Sequence, residues 1–128
     1  MANFTEAGPT LPAKDVDRAR AFYEQTLGLE VEEVNPGGVM FKVGTSHLFV
    51  YPSEFAGTNK ATAANLEVDD LEAAVADLRG KGITFEQYDF PGLKTDENGI
   101  ADLGGERGAW FIDPEGNIIA VGQRATTS

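Results

Sequence analysis

The chain carries one pattern twice. Pro12-Ala13-Lys14-Asp15-Val16-Asp17-Arg18-Ala19 is answered about 55 positions later by Glu67-Val68-Asp69-Asp70-Leu71-Glu72-Ala73-Ala74. Gly38-Val39-Met40-Phe41 with Leu48-Phe49-Val50 is answered about 70 positions later by Ala109-Trp110-Phe111-Ile112 with Ile119-Ala120-Val121. A unit of roughly 60 residues used twice restricts the chain to two copies of one supersecondary arrangement. It also makes the positions of one copy readable against those of the other.

Each copy reads as β-α-β-β-β. In the first, Gly8 to Ala13 fits a strand. Asp15 then caps a helix carrying Val16, Ala19, Tyr23 and Leu27, which Gly28 ends. Leu29 to Val34 alternates as a half-exposed strand, Asn35-Pro36-Gly37-Gly38 turns, and Val39 to Val43 with Ser46 to Tyr51 form a hairpin about Gly44-Thr45. In the second copy Ala63 to Val68 is a strand. Asp70 caps a helix carrying Leu71, Ala74, Val75 and Leu78, and strands are expected at 83–88, 100–103, 108–112 and 117–121. The expected fold is α+β, with two tandem βαβββ modules forming a curled mixed sheet around a cavity. One domain spans 1–128, with modules at about 5–52 and 62–123 and a connector at about 53–61.

Composition removes several functions. A net charge of −11 leaves no basic stripe for nucleic acid or for an anionic membrane surface, and it favours a cationic ligand. The chain has no cysteine, which excludes disulfides, thiolate metal sites and cysteine nucleophiles. With no long apolar run and no leader-like start, a cytoplasmic protein is expected.

Side chains alternate faces along a strand. If Gly44-Thr45 is a two-residue turn, Met40 faces Phe49 and Phe41 faces Leu48. Val39, Phe41, Val43, Leu48 and Val50 then pack on the helices, while Met40, Lys42, His47, Phe49 and Tyr51 face the cavity. The same reasoning puts Trp110, Ile112, Ile119 and Val121 beneath the second helix and Phe111, Ile118, Ala120 and Gly122 in the cavity. Thr10 and Asn65 are candidate orienting groups, and Tyr88 and Phe90 precede a Pro91-Gly92 loop at its mouth. The candidate ligand-binding residues are thus Thr10, Met40, His47, Phe49, Tyr51, Asn65, Tyr88, Phe90 and Phe111.

The run Leu11-Pro12-Ala13-Lys14-Asp15-Val16-Asp17-Arg18-Ala19-Arg20-Ala21-Phe22-Tyr23, then Leu27-Gly28-Leu29, and finally Trp110-Phe111-Ile112-Asp113-Pro114-Glu115-Gly116-Asn117-Ile118-Ile119 resembles the vicinal oxygen chelate superfamily. That superfamily includes glyoxalase I, extradiol dioxygenases, fosfomycin-resistance enzymes and bleomycin-resistance proteins. The resemblance covers nearly the whole chain. It implies paired βαβββ modules, usually within a homodimer, and in metal-dependent members one ligand from the first and one from the last strand of each module. Carried onto this chain, those positions are Gly8, Phe49, Ala63 and Ala120. None has a side-chain lone pair, so neither a metal nor another cofactor is expected.

The resemblance then implies a homodimeric, metal-independent protein that sequesters an aromatic or glycopeptide antibiotic, in the manner of the bleomycin-resistance proteins. Glu67 and Asp69 read as a strand-end and turn pair. The competing expectation is an isomerase or lyase that works without metal, using Tyr51, His47, Glu67 or Lys94 as acid or base, or with non-standard metal ligands such as His47 and Glu67.

Overall fold

The computed structural model describes residues 2–125. The first half lays down β1 (Thr10–Ala13), helix α1 (Val16–Ala21), β2 (Glu30–Asn35), β3 (Gly38–Val43) and β4 (Ser46–Pro52). Asp15 caps α1 by accepting from the Arg18 N–H, and the helix runs on into a π-helical turn, Phe22–Thr26, that carries the fully buried Tyr23. The second half lays down β5 (Thr62–Glu67) and helix α2 (Leu71–Gly80), capped by Asp70 through the Ala73 N–H. A small hairpin of β6 (Asp89–Phe90) and β7 (Leu93–Lys94) follows, then β8 (Ala101–Leu103), β9 (Glu106–Ile112) and β10 (Ile118–Gln123). Among the described residues, no helix is long and apolar enough to cross a membrane.

The repeat becomes two sheets of the same design. Their strand orders are β1-β4-β3-β2 and β5-β10-β9-β8, each with its first and last strands as a parallel pair and antiparallel neighbours beyond it. The β3–β4 hairpin has the register read from its turn: Met40 opposes Phe49 and Phe41 opposes Leu48. Both halves feed one core, in which Leu11, Tyr23, Phe41, Leu48 and Val50 meet Leu71, Val75, Phe85, Phe111, Ile119 and Val121.

Two expectations are corrected. Residues 83–88 form no strand; this stretch touches the sheet only through a bridge from Phe85 to Phe111, and β8 takes the edge position instead. The face of β9 is inverted. Ile118 opposes Ile112 and Ile119 opposes Phe111, so Phe111 is fully buried in the core while Trp110 faces the other way. The cause is the turn. Asn117 donates its N–H to Asp113 Oδ1 at 2.8 Å and its Nδ2 to Asp113 Oδ2 at 3.0 Å, which makes it the fifth loop residue rather than the first strand residue. A shift of one residue moves every side chain to the opposite face.

That turn also ties the halves together. Glu115, whose side chain is wholly buried, accepts from the backbone N–H of Lys14 (2.6 Å) and Asp15 (2.9 Å) and from Arg18 Nε (2.6 Å). The Tyr23 hydroxyl donates to Asp113 Oδ2 at 2.6 Å, and Asn117 Nδ2 donates to the Pro12 carbonyl at 2.9 Å. Burial first, and then the charge and hydrogen bond of Asp113, hold the Tyr23 phenol far above its ordinary value. The unfolded chain sheds that proton near pH 10 and the folded chain keeps it, so the contribution is complete below pH ~10 and declines above it. Stability is therefore expected to fall by up to about 1.4 kcal/mol per pH unit above ~10 through this residue. Urea midpoints measured from pH 9 to 11 would show a smaller alkaline decline in Tyr23→Phe than in the parent. Equal declines would remove Tyr23 as the cause.

Candidate functional site

Each sheet turns one face to the helices and the other to a concavity. On the first half the concavity, about 480 Å³, is lined by Thr10, Met40, His47 and Phe49 together with Glu33, Asn35 and the segment Glu6 to Pro9. Met40 and Phe49 meet across the β3–β4 pair, and Thr10 lies beside Phe49 on β1. Tyr51 follows on β4 but does not line this concavity.

Several acids gather here, and the pair Glu32-Glu33, which breaks the alternation of β2, is their one mark in the sequence. The structure resolves that pair as a bulge. Val31 opposes Phe41 and Glu33 opposes Met40, which leaves Glu32 as the extra residue. Its Oε2 lies 2.6 Å from His47 Nδ1, and Glu6 Oε1 lies 3.4 Å from His47 Nε2. The Glu32 contact is one of proximity, since Nδ1 has no aligned hydrogen bond. His47 therefore sits between carboxylates of two different segments.

On the second half the concavity, about 240 Å³, is lined by Asn65, Glu67, Trp110, Ala120 and Gly122, with Leu103, Glu106, Arg107, Gln123 and Arg124 around it. Trp110, assigned to the core from sequence, is the aromatic of this face, and Phe111 is not. Phe111 packs instead at 5.9 Å from Phe22 and 6.0 Å from Phe85. The Trp110 ring stands edge-on to Tyr88 at 5.6 Å, and Tyr88 stacks with Phe90 at 5.9 Å, so these three make one aromatic row. Burial, and then Glu86, pushes the Tyr88 phenol up from its ordinary value.

The two concavities share no lining residue. The structure thus brings Thr10, Met40, His47 and Phe49 together on one face and Asn65 into the other, while Tyr88 and Phe90 do not line that second concavity and reach it only through the contact of Tyr88 with Trp110. Two further residues, Gly108 and Gly122, face each other across the β9–β10 pair. In sequence they are only two small residues flanking apolar runs, which is the one signal that could have marked them as an open floor.

The donor set does not suit a metal of the kind the resemblance implies. Gly8 and Phe49 line the first concavity and Ala120 the second, and none of them offers a side-chain lone pair. Among the described residues, no three His, Cys, Asp or Glu side chains are gathered so that they could hold a metal ion.

A comparison with curated protein sequences finds no match. Solved structures give the fold. The bleomycin resistance determinant encoded on the transposon Tn5 is 22% identical, with a TM-score of 0.69 over 96% of this chain and 100% of that one. TnmS3, an antibiotic-binding protein from Streptomyces sp. CB03234, is 21% identical, with a TM-score of 0.63 over 97% and 98%. Lactoylglutathione lyase from Agrobacterium tumefaciens is 24% identical, with a TM-score of 0.63 over 96% of each chain. At these identities the likeness is one of architecture, shared by binding proteins and enzymes. The model of the glyoxalase/bleomycin resistance protein/dioxygenase superfamily matches residues 6–121, and the chain belongs to that superfamily.

Proposed function

We propose that the protein binds a planar aromatic natural product of the antibiotic type and holds it unchanged. The observation that carries this reading is the absence of a side-chain lone pair at Gly8, Phe49, Ala63 and Ala120, where metal-dependent relatives of this architecture would place their ligands. In their stead the faces offer Met40 and Phe49 on one half and Trp110 on the other. These groups bury and stack against flat rings, and no chemistry is required of them.

Both faces open outward from a shared core, and each covers a ligand from one side only. A homodimer that sets the first-half face of one chain against the second-half face of its partner would enclose a ligand between Phe49 and Trp110. Two further resemblances support this reading, to a bleomycin resistance determinant and to an antibiotic-binding protein.

A second reading has one observation in its favour. His47 lies between the Glu32 and Glu6 carboxylates, 2.6 Å and 3.4 Å away, at the edge of the first concavity, and an imidazole so placed is an acid–base group of the kind an isomerase or lyase uses. One measurement separates the two. Native mass spectrometry against a panel of aromatic and glycopeptide antibiotics, followed by denaturation and weighing of the released compound, is expected to return one unchanged ligand per chain in a dimer. A released compound of altered mass would replace sequestration with catalysis and move His47 to the centre of it.

A further inference from the structure

Two acceptor oxygens converge on one point of the second-half face. A β-carbon built on Gly122 would lie 2.7 Å from Asn65 Oδ1 and 2.9 Å from Glu67 Oε1. Asn65 Nδ2 reaches Glu67 Oε1 only at 3.4 Å, a length at which little of a hydrogen bond remains. Arg124 Nε lies 3.6 Å from the other carboxylate oxygen, Oε2, on a side chain that is 83% exposed. The Arg107 guanidinium is held by Glu72 of α2. Glu67 Oε1 and Asn65 Oδ1 are exposed, so their acceptor capacity is open to solvent and to any donor that enters above the backbone of Gly122.

The floor beneath them is flat. Gly122 pairs in register with Gly108, and both are buried. The Trp110 ring reaches to 3.3 Å from the place a β-carbon on Gly108 would take, so it borders the floor opposite Asn65 and Glu67. A planar group lying on the two glycines would meet the indole along one side and the two oxygens along the other. Those oxygens call for N–H donors, and the carboxylate calls for positive charge. An anion would meet two acceptors and be repelled.

We propose that this face receives the amidinium-type edge of a planar ligand, either an amidine, a guanidine or a protonated aminoheterocycle, with its N–H groups forked between Glu67 and Asn65 and its ring on the Gly108–Gly122 floor beside Trp110. The proposal rests on the binding reading above for the occupancy of the face, and it adds the chemical class of what enters.

Trp110 is the only tryptophan in the chain, so its emission reports this face alone. The test is a tryptophan-fluorescence titration of the intact protein at fixed ionic strength with benzamidine, isosteric benzamide and benzoate. Benzamidine is expected to give a saturable change, benzamide to bind about tenfold more weakly, and benzoate to give none. Glu67→Gln should bring benzamidine and benzamide to within about threefold of each other while the tryptophan still responds. Gly122→Ala, on ordinary extended backbone and directed into the concavity, should remove the response to benzamidine and to benzamide without lowering the melting temperature. Benzoate binding as tightly as benzamidine, an undiminished preference in Glu67→Gln, or no response to any probe would overturn the proposal. Capture of an unchanged antibiotic by a protein with no amidine preference would sink this inference and leave sequestration standing. An amidine preference with an altered released compound would do the reverse.

Discussion

Asp113→Ala is expected to lower the free energy of unfolding by about 3–5 kcal/mol. The carboxylate accepts from the Glu115 N–H (2.9 Å), the Asn117 N–H and side-chain amide, and the Tyr23 hydroxyl, all in buried surroundings. Alanine leaves those donors without acceptors in a region water does not reach. It also releases Asn117 from the turn, and with it the register of β10 against β9. A loss of that size is a large part of the 5–15 kcal/mol that holds a domain together. Urea denaturation of Asp113→Ala and Asp113→Asn would check it. Asparagine keeps an acceptor oxygen and should lose clearly less. A loss below about 1 kcal/mol in the alanine variant would show that the turn is held by its backbone bonds alone.

The second large effect separates two neighbours. Phe111→Ala is expected to destabilise by about 3–5 kcal/mol, since the ring is fully buried among Phe22, Phe85 and Ile119. Trp110→Ala, one residue before it, removes a larger ring but empties a half-exposed concavity, and should cost about 1–2 kcal/mol. Ligand binding should respond in the opposite sense, with the Trp110 variant losing affinity and a folded Phe111→Leu retaining it. Thermal melts and antibiotic capture by mass spectrometry give both readings. If Trp110→Ala proved the more destabilising of the two, the face assignment of β9 would be wrong.

This pair also shows where sequence reasoning stopped. The caps at Asp15 and Asp70 and the Met40–Phe49 pairing were legible because side-chain capping and a two-residue turn are local rules. The run Ala109 to Ile112 was not legible in the same way. It is apolar at every position, so alternation gives no face, and its register depends on whether Asn117 belongs to turn or strand. That is decided by two hydrogen bonds to Asp113. The stretch 83–88 has strand-like residues, but it meets β9 only at Phe111 through Phe85, while β8 takes the edge beside residues 106–108. At the site, Met40, His47 and Phe49 could be grouped from the β3–β4 pair, and Thr10 from its position on β1. Glu6 and Glu32 could not, because one comes from the segment ahead of β1 and the other from a bulge.

The reach of Glu115 back to Lys14 spans 101 positions of chain. At a synthesis rate of about 5–20 residues per second, the donors at the start of α1 wait roughly 5–20 s before their acceptor leaves the ribosome. The sheet of the first half is wired within itself, but the hydroxyl of its Tyr23 lacks this partner until Asp113 arrives. Non-local closure of this kind slows folding relative to a locally wired domain of equal size. During that interval the nascent first half exposes the side of α1 that Glu115 and Asp113 cover in the folded chain.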